Sequence, residues 1–390
     1  MKTIHFSRRV ELVKPSQTLV ITDKAKKMKQ QGLDVVSFGA GEPDFDTPAF
    51  IKDAAIDALK KGMTKYSPSS GISELKKEII LKLERDNGLK YGADELIISN
   101  GAKHSLFNAF QVLLNEGDEV IIPSPFWLSY PEMVRLAGGE PVFIETKESD
   151  RFKVKAKDLE SKINTRTKII VINSPSNPTG VIYSKDELEE IARIAVNHQV
   201  FVLSDEIYEK LIYDHKKHVS IASLNSQIKE LTLTVNGLSK AYSMTGWRLG
   251  YLAGPKEVVE RIDNLQSHAT SNPNTFAQYG AVKALANGEE EVKKMCSVFE
   301  TRRNLMADEL KQINKLSFVL PDGAFYFFVN ISKTGMNSAQ FAEKILEKNL
   351  VAVVPGDVFG SDQHIRLSFA TSEENIKKGL ARIAEFVKSN

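Results

Sequence analysis

An α/β fold with a mostly parallel sheet is predicted, because short apolar runs alternate with amphipathic helical stretches along the chain. Four apolar runs are typical of buried strands, at residues 119–122, 169–173, 200–205 and 231–235. A helical stretch at 187–197 separates the second and third of these runs. Strand, helix and strand in this order favour parallel pairing with helices on the sheet faces. Such sheets bind ligands at the carboxyl ends of their strands.

The last third of the chain has a different pattern and predicts a smaller α+β domain. A long polar helical stretch at 289–312 is followed by apolar runs at 318–320 and 325–329, which indicate an antiparallel pair around a Pro-Asp-Gly turn. Helices are predicted at 340–349 and 372–387. A chain of 390 residues also favours two domains. We predict that the large domain covers residues 45–290, and that the small domain combines residues 1–44 with 291–390.

Composition narrows the classes of function. The net charge of +2 gives no electrostatic reason to expect nucleic acid or a membrane surface as a partner. Cys296 is the single cysteine, so no intrachain disulfide can form, which suits a reducing compartment. No apolar run has the length of a membrane span. These observations predict a cytoplasmic protein, and the seven histidines lack metal-binding spacing, so no metal site is expected.

The segment at residues 234–250 carries the most specific chemical signal. It contains Lys240 beside Ser239, with Arg248 about two helical turns further on. A lysine amine forms a Schiff base with an aldehyde, and an arginine grips a phosphate through paired hydrogen bonds. Pyridoxal 5'-phosphate carries both an aldehyde and a phosphate, so this segment predicts a site for that cofactor.

Polar residues that follow predicted strands supply further candidates. Asp205 ends a strand, where its carboxylate would pair with a protonated pyridine nitrogen or cap the next turn. Tyr208, three residues later, would donate a hydrogen bond to the phenolic oxygen of the ring. Asn177 lies in a Pro- and Gly-containing turn, and its amide suits a ring oxygen or a carboxylate, although a plain turn is the alternative.

Two more segments could bind anions. Residues 99–104 place small side chains before a predicted helix, where backbone N–H groups can approach a phosphate. Arg366 lies between apolar residues in a strand-like segment, and it would bind a substrate carboxylate or form a structural ion pair. The aromatic run at 325–328 is predicted to belong to the core.

The order of these residues resembles that of the class I aminotransferases of fold type I, and most closely the bacterial and archaeal aspartate aminotransferases. The resemblance covers essentially the whole chain, and its motifs lie at residues 14–18, 41–48, 65–66, 125–127, 174–180, 204–208, 239–240, 245–248 and 354–356. It implies a pyridoxal-phosphate enzyme with a seven-stranded sheet. It also implies ping-pong transamination, L-aspartate with 2-oxoglutarate to oxaloacetate and L-glutamate, by a homodimer with shared active sites.

The resemblance also implies roles for individual residues. The catalytic residues would be Lys240, as Schiff-base lysine and proton carrier, Asp205 at the pyridine nitrogen, and Tyr208. The other cofactor-binding residues would be Asn177 at the ring oxygen, Trp127 on the ring face, Gly101, Ala102, Ser239 and Arg248 around the phosphate, and Tyr66 from the partner subunit. The α-carboxylate of the substrate would be bound by Arg366, aided by Asn177, Trp127 and the Gly41 backbone. Cis peptide bonds are implied before Pro125 and Pro178.

Two departures from the family pattern concern the phosphate and the substrate. Gly237 stands where many relatives have a serine or threonine phosphate ligand. Residues 266–278 contain no arginine for the distal carboxylate of the substrate. The subgroup without that arginine is similar to this chain and uses a lysine with N-terminal hydroxyls, which Lys103, Ser16 and Thr18 match. An aminotransferase for aromatic or prephenate-type acids, or a lyase on the same fold, remains the alternative.

Overall fold

The computed structural model describes residues 5–13, 15 and 17–389, apart from the side chains at positions 8, 17–19 and 22. The strands are β1 Val36–Ser37, β2 Leu96–Ser99, β3 Glu119–Ser124, β4 Glu140–Glu145, β5 Thr167–Asn173, β6 Phe201–Asp205, β7 Thr232–Gly237, β8 Gly250–Ala253, β9 Ser317–Phe318, β10 Tyr326–Asn330, β11 Val351–Ala352, β12 Val354–Pro355 and β13 His364–Ser368. The α-helices are α1 Arg8–Glu11, α2 Gln17–Gln30, α3 Ala49–Lys60, α4 Ser73–Asn87, α5 Ala102–Leu113, α6 Ser129–Leu136, α7 Ala156–Glu160, α8 Lys185–His198, α9 Ser226–Lys229, α10 Lys256–Ala269, α11 Thr275–Asn287, α12 Glu289–Lys311, α13 Ser338–Asn349 and α14 Glu373–Ser389.

A seven-stranded sheet is the centre of the larger part of the molecule. Its order is β2-β8-β7-β6-β5-β3-β4, and only β8 runs antiparallel to its neighbours. Successive residues of β5 face opposite sides, with Ile169 and Val171 in one buried apolar cluster and Ile170 and Ile172 in another. Because both faces are covered, these strands are continuous apolar runs rather than alternating ones. The predicted mostly parallel sheet is confirmed.

A second region contains an antiparallel sheet in the order β12-β13-β10-β9. The predicted pairing of the runs at 318–320 and 325–329 is confirmed, although β9 keeps only two residues. Strand β1 pairs in parallel with β11, which connects the N-terminal segment to the C-terminal part. That pairing supports the division into residues 45–290 and residues 1–44 with 291–390, which stays a proposal.

Some details differ from the sequence-based expectations. Helix α8 begins at Lys185, earlier than predicted, because the Ser184 hydroxyl accepts the backbone N–H of Glu187 while the Glu187 carboxylate accepts that of Ser184. Peptide bonds 124–125 and 177–178 are cis as expected, and the 174–175 bond is cis as well. No helix in the described part of the chain is long and apolar enough to cross a bilayer.

Candidate active site

Parallel strands bring polar residues from distant parts of the chain to one edge of the large sheet. Asn173 ends β5 and Asp205 ends β6, and the two residues are partners in the strand register. The Asn173 side-chain amide also donates to the Asp205 carbonyl over 2.9 Å. A cavity of about 650 Å³ opens at this edge. It lies where an α/β sheet is expected to bind its ligand.

Asp205 is a buried carboxylate held in a fixed orientation. The Tyr130 hydroxyl donates to Oδ2 over 2.6 Å, and the backbone N–H of Ile207 donates to Oδ1 over 3.2 Å. Burial raises the pKa of Asp205 to about 6, while these two hydrogen bonds oppose the shift. A positively charged group in the cavity would therefore pair with an oriented carboxylate that becomes ionised near neutral pH.

Lys240 places an amine in the same cavity. Its Nζ donates to the Gly41 carbonyl over 2.6 Å. Burial lowers the pKa of Lys240 to about 8; the Glu42 carboxylate opposes this shift, and the positive charges of Arg366 and Arg248 add to it. A substantial fraction of this amine is therefore neutral near pH 8, which is the form that attacks carbonyl carbon and accepts protons.

The start of α5 and the Arg248 side chain form an anion-binding corner. Gly101 has φ of +90°, and a Cβ there would lie 2.4 Å from Arg248 Nη2. Arg248 Nη1 donates to the Thr245 carbonyl over 2.9 Å, which orients the guanidinium group. Ala102 begins the helix, so free backbone N–H groups and a guanidinium point into one corner, as a phosphate requires.

Glycines on β7 and β8 allow this close packing. Gly237 pairs with Gly250, and a Cβ on Gly237 would lie 3.0 Å from the Gly250 Cα. A Cβ on Gly250 would lie only 2.1 Å from the Ala102 backbone nitrogen. Gly237, which stands where many relatives have a serine or threonine, therefore lies at a place where a side chain would meet the neighbouring strand.

Arg366 is an almost fully buried cation, with 2% of its surface exposed. Nη1 donates to Asn177 Oδ1 over 3.0 Å, and Nη2 donates to the Gly39 carbonyl over 3.1 Å. Nε has no protein partner, and no carboxylate among the described residues lies within ion-pair distance. Burial lowers its pKa, although the neighbouring tyrosines oppose that shift. A buried charge without a counterion favours the anion-binding hypothesis over a structural ion pair.

Aromatic and basic side chains also line the cavity. The Trp127 ring meets the Tyr130 ring edge-on at a centroid distance of 5.2 Å. Lys103 Nζ lies 4.9 Å from the Trp127 ring centroid. Burial lowers the pKa of Lys103, and the Arg248 charge adds to this shift. Four cations and two carboxylates, Glu42 and Asp205, line the described cavity, so its net charge favours anionic ligands.

The turn that carries Asn177 is fixed on both sides. The Asn177 backbone N–H donates to Asn173 Oδ1 over 2.8 Å. At its other end, the Gly180 carbonyl accepts the backbone N–H groups of Asp322 and Gly323, each over 2.8 Å. Gly180 has φ of +69°, and a Cβ there would lie 2.4 Å from Pro321, so only glycine fits this contact.

Most of the residues predicted from the sequence meet at this cavity. The predicted residues in its lining are Gly41, Ala102, Lys103, Trp127, Asn177, Asp205, Tyr208, Ser239, Lys240, Arg248 and Arg366. Gly101 borders it through the Arg248 contact. Tyr66 does not line it, and 88% of its surface is exposed. Ser16 and the side chain of Thr18 lie outside the described residues.

No role was predicted from the sequence for several residues of the site. They are Gly39, Glu42, Tyr130, Asn173, Thr245 and Tyr326. Tyr130 follows Trp127 at a spacing that shares one helical face, which is a usable but weak signal. Tyr326 belongs to the aromatic run assigned to the core; it is indeed buried, but its hydroxyl lies 2.9 Å from that of Tyr208 and the residue lines the cavity.

Fold and cavity together define an α/β enzyme with a partly buried lysine, a buried carboxylate and two arginines at one sheet edge. The family description "Aminotransferase class I and II" matches residues 33–383. An aspartate aminotransferase of Geobacillus stearothermophilus is 49% identical over 388 residues, covering 98% of this chain and 99% of that protein. An aspartate/prephenate aminotransferase of Thermus thermophilus is 46% identical and covers 97% of both chains.

Solved structures agree with the sequence relatives. The aspartate aminotransferase from Thermus thermophilus with maleate superposes with a TM-score of 0.95 at 45% identity, covering 98% of this chain and 100% of that one. An aromatic aminotransferase from Pyrococcus horikoshii superposes with a TM-score of 0.89 at 41% identity, covering 95% of this chain and 99% of that one. The chain belongs to the class I and II aminotransferases.

Proposed function

We propose that this protein transfers the amino group of L-aspartate to 2-oxoglutarate by a ping-pong reaction that uses pyridoxal 5'-phosphate. The observation that carries the proposal is one cavity in which Lys240 lies with Asp205 and the unpaired Arg366. The names of the relatives support aspartate as the amino donor.

The residues present fit this cofactor. The corner formed by Gly101, Ala102 and Arg248 suits the phosphate, with Ser239 beside it. Asp205 suits the pyridine nitrogen because its carboxylate is buried and oriented. When bound, the cofactor supplies an aldehyde that condenses with amines and a ring that accepts electrons from the substrate Cα–H bond.

Other residues that line the cavity would contact the ring of the cofactor. Asn177 and Tyr208 would donate to the phenolic oxygen of the ring. Arg366 donates a hydrogen bond to Asn177 Oδ1, so the two N–H groups of the Asn177 amide remain free to donate. Trp127 would cover one face of the ring. We therefore assign cofactor binding to these residues together with the phosphate corner.

Lys240 would carry protons within the cavity. Its lowered pKa, about 8, keeps part of the amine neutral, so Nζ can take the proton from the substrate Cα and return it to a neighbouring carbon. Asp205, once paired with a positive ring nitrogen, stays ionised and holds that nitrogen protonated. The carbonyl of Gly41, which accepts a hydrogen bond from Nζ, orients the amine for this transfer.

Substrate recognition would depend on the excess of cations. Arg366 would bind the α-carboxylate through N–H groups that its hydrogen bonds to Asn177 and Gly39 leave free. Lys103 would bind the distal carboxylate, with Ser16 and Thr18 as proposed partners. Relatives named aspartate/prephenate aminotransferases favour a second candidate, in which prephenate-type acids also serve as amino acceptors.

We also propose a cytoplasmic homodimer with shared active sites, whose partners are small amino and oxo acids rather than nucleic acid or membranes. The exposed Tyr66 supports this assembly, because it would reach the phosphate in the partner subunit. Analytical ultracentrifugation tests it. A monomer with full activity would contradict the shared site.

The absorbance spectrum of the cofactor-loaded protein tests the function. Aspartate should convert the visible band to the amine form of the cofactor, and 2-oxoglutarate should restore it. A lyase on this fold would consume substrate without that reversible conversion. Lys240→Ala should still bind cofactor, as seen by equilibrium dialysis, but should lose turnover. Wild-type turnover in this variant, or no visible band in the wild type, contradicts the proposal.

A further inference from the structure

Tyr326 on β10 contacts both Tyr208 and Arg366. Its hydroxyl lies 2.9 Å from the Tyr208 hydroxyl, and the Arg366 guanidinium carbon lies 4.3 Å from its ring centroid. The residue is fully buried, although it lines the cavity. Pairing of β10 with β13 places Tyr326 opposite Ser368, two residues along the strand from Arg366. One side chain thus contacts a proposed cofactor ligand and a proposed substrate ligand.

Once the cofactor is bound, the hydrogen bond between the Tyr208 and Tyr326 hydroxyls can have only one direction. A tyrosine hydroxyl carries a single hydrogen. If Tyr208 gives that hydrogen to the phenolic oxygen of the cofactor, the contact at 2.9 Å requires Tyr326 to donate to Tyr208. A hydroxyl that accepts a hydrogen bond becomes a stronger donor, because linked hydrogen bonds polarise one another. Tyr326 therefore strengthens and orients the bond that Tyr208 makes.

The ring of Tyr326 acts on Arg366 in a different way. A guanidinium over an aromatic face is attracted by the ring quadrupole, and more strongly where water is excluded. Here both groups are buried, and no carboxylate among the described residues compensates the charge. Phe359 lies on the guanidinium as well, at 5.1 Å, so two aromatic faces hold it. The ring of Tyr326 lies nearer and contributes more to keeping the group in place.

We propose that Tyr326 is a positioning residue with two separable roles: its hydroxyl orients Tyr208 toward the cofactor, and its ring holds Arg366 for the substrate carboxylate. The inference rests on the proposed function. It links cofactor and substrate binding through a residue that the sequence pattern assigned to the core.

Tyr326→Phe tests the first role, since it keeps the ring and removes the hydroxyl. The measurement is the pH titration of the visible absorbance of cofactor-loaded, substrate-free protein. We expect the apparent pKa to move in the same direction as in Tyr208→Phe, by a smaller amount. The double variant Tyr208→Phe/Tyr326→Phe should match Tyr208→Phe alone, because Tyr326 acts through Tyr208. Tyr183→Phe, which removes a buried hydroxyl bonded to the Val154 N–H, should leave the titration unchanged.

Tyr326→Leu tests the second role, since it removes the ring. The probe is maleate, a dicarboxylate without an amino group, titrated calorimetrically into cofactor-loaded protein. We expect its Kd to rise about 2- to 30-fold in Tyr326→Leu and to stay within about twofold in Tyr326→Phe. Should the leucine variant not fold, the phenylalanine variant still decides the hydroxyl role.

The outcomes separate this inference from the proposed function. A wild-type protein without a titrating visible band defeats the proposed function itself. If the wild type titrates and Tyr208→Phe shifts the titration, an unshifted Tyr326→Phe overturns the hydroxyl role alone. Unchanged maleate binding in a folded Tyr326→Leu overturns the ring role. A double variant that shifts further than Tyr208→Phe shows that Tyr326 does not act through Tyr208.

Discussion

Replacing Arg366 with methionine should sharply lower activity without unfolding the protein. Two hydrogen bonds to neutral acceptors, at 3.0 and 3.1 Å, hold the guanidinium, and each stabilises by about 1.5–3 kcal/mol. Burying the unpaired charge costs several kcal/mol in the opposite direction. These contributions nearly cancel, so the free energy of unfolding of the cofactor-free protein should change by no more than about 2 kcal/mol.

The effect on substrate should be far larger. Truncating one partner of a buried, hydrogen-bonded charge pair costs about 2–5 kcal/mol, which corresponds to a fall in kcat/KM of roughly 30- to 5,000-fold. The assay is steady-state transamination of aspartate, with urea denaturation of the cofactor-free protein in parallel. Cofactor affinity should change little, because Arg366 is assigned to the substrate.

Arg303 provides a matched control. It is equally buried, but Nη1 and Nη2 donate to the two oxygens of Asp214 over 2.7 and 2.8 Å. Arg303→Met should destabilise the protein by about 2–3 kcal/mol and leave kcat/KM of the folded enzyme unchanged. Arg366 is not a substrate ligand if Arg366→Met keeps kcat/KM within threefold of wild type, and its charge is not uncompensated if this variant destabilises the protein as much as Arg303→Met does.

Three further variants test the cofactor side. Gly250→Ala should push away the start of α5, since its Cβ would lie 2.1 Å from the Ala102 nitrogen, and should weaken cofactor binding at least about tenfold in a fluorescence titration, with a lower Tm. The pKa of Asp205 is raised in the folded state, from 3.8 to about 6, so its contribution to stability is present below pH 3.8 and is lost as pH rises through 6. Asp205→Asn should therefore gain up to about 3 kcal/mol relative to wild type between pH 4 and 7, measured by urea denaturation without cofactor; a pH-independent difference contradicts this. Tyr130→Phe should raise the pKa of Asp205 further, because it removes the 2.6 Å hydrogen bond to this carboxylate. The pH below which cofactor affinity falls should then be higher than in the wild type. An unchanged pH profile would show that this hydrogen bond has no influence on the pKa of Asp205.

The large sheet and the principal site residues could be predicted because their signals are local. The parallel strands β3, β5, β6 and β7 are mostly apolar runs, and Asp205 and the turn that carries Asn177 stand where such runs end. The structure then brings these ends together as parallel pairing requires. Strands β1, β11 and β12 have only two residues each, which is too short for any periodic pattern, so they were not predicted.

The site residues whose roles could not be predicted make contacts between positions that are far apart in the sequence. Tyr130 reaches Asp205 across 75 positions, and Tyr326 reaches Tyr208 across 118. Tyr326 also sits in an aromatic run whose burial is genuine, so its hydroxyl alone distinguishes it from a core residue. No sequence spacing predicts which distant hydroxyl lies next to that of Tyr326. The phosphate corner was only weakly predicted for the same reason, since the Gly101 contact to Arg248 forms between segments far apart in the chain.

The contact at Gly180 also constrains how the two sheets can move. Two hydrogen bonds from residues 322 and 323 tie the Asn177 turn to the segment just before β10. Any rotation of the four-stranded sheet that preserves them must pivot close to Gly180. Asn177 and Arg366 lie near this pivot, so their spacing would change little during such a rotation. The Asn177–Arg366 side of the cavity is therefore the part that such a rotation would alter least.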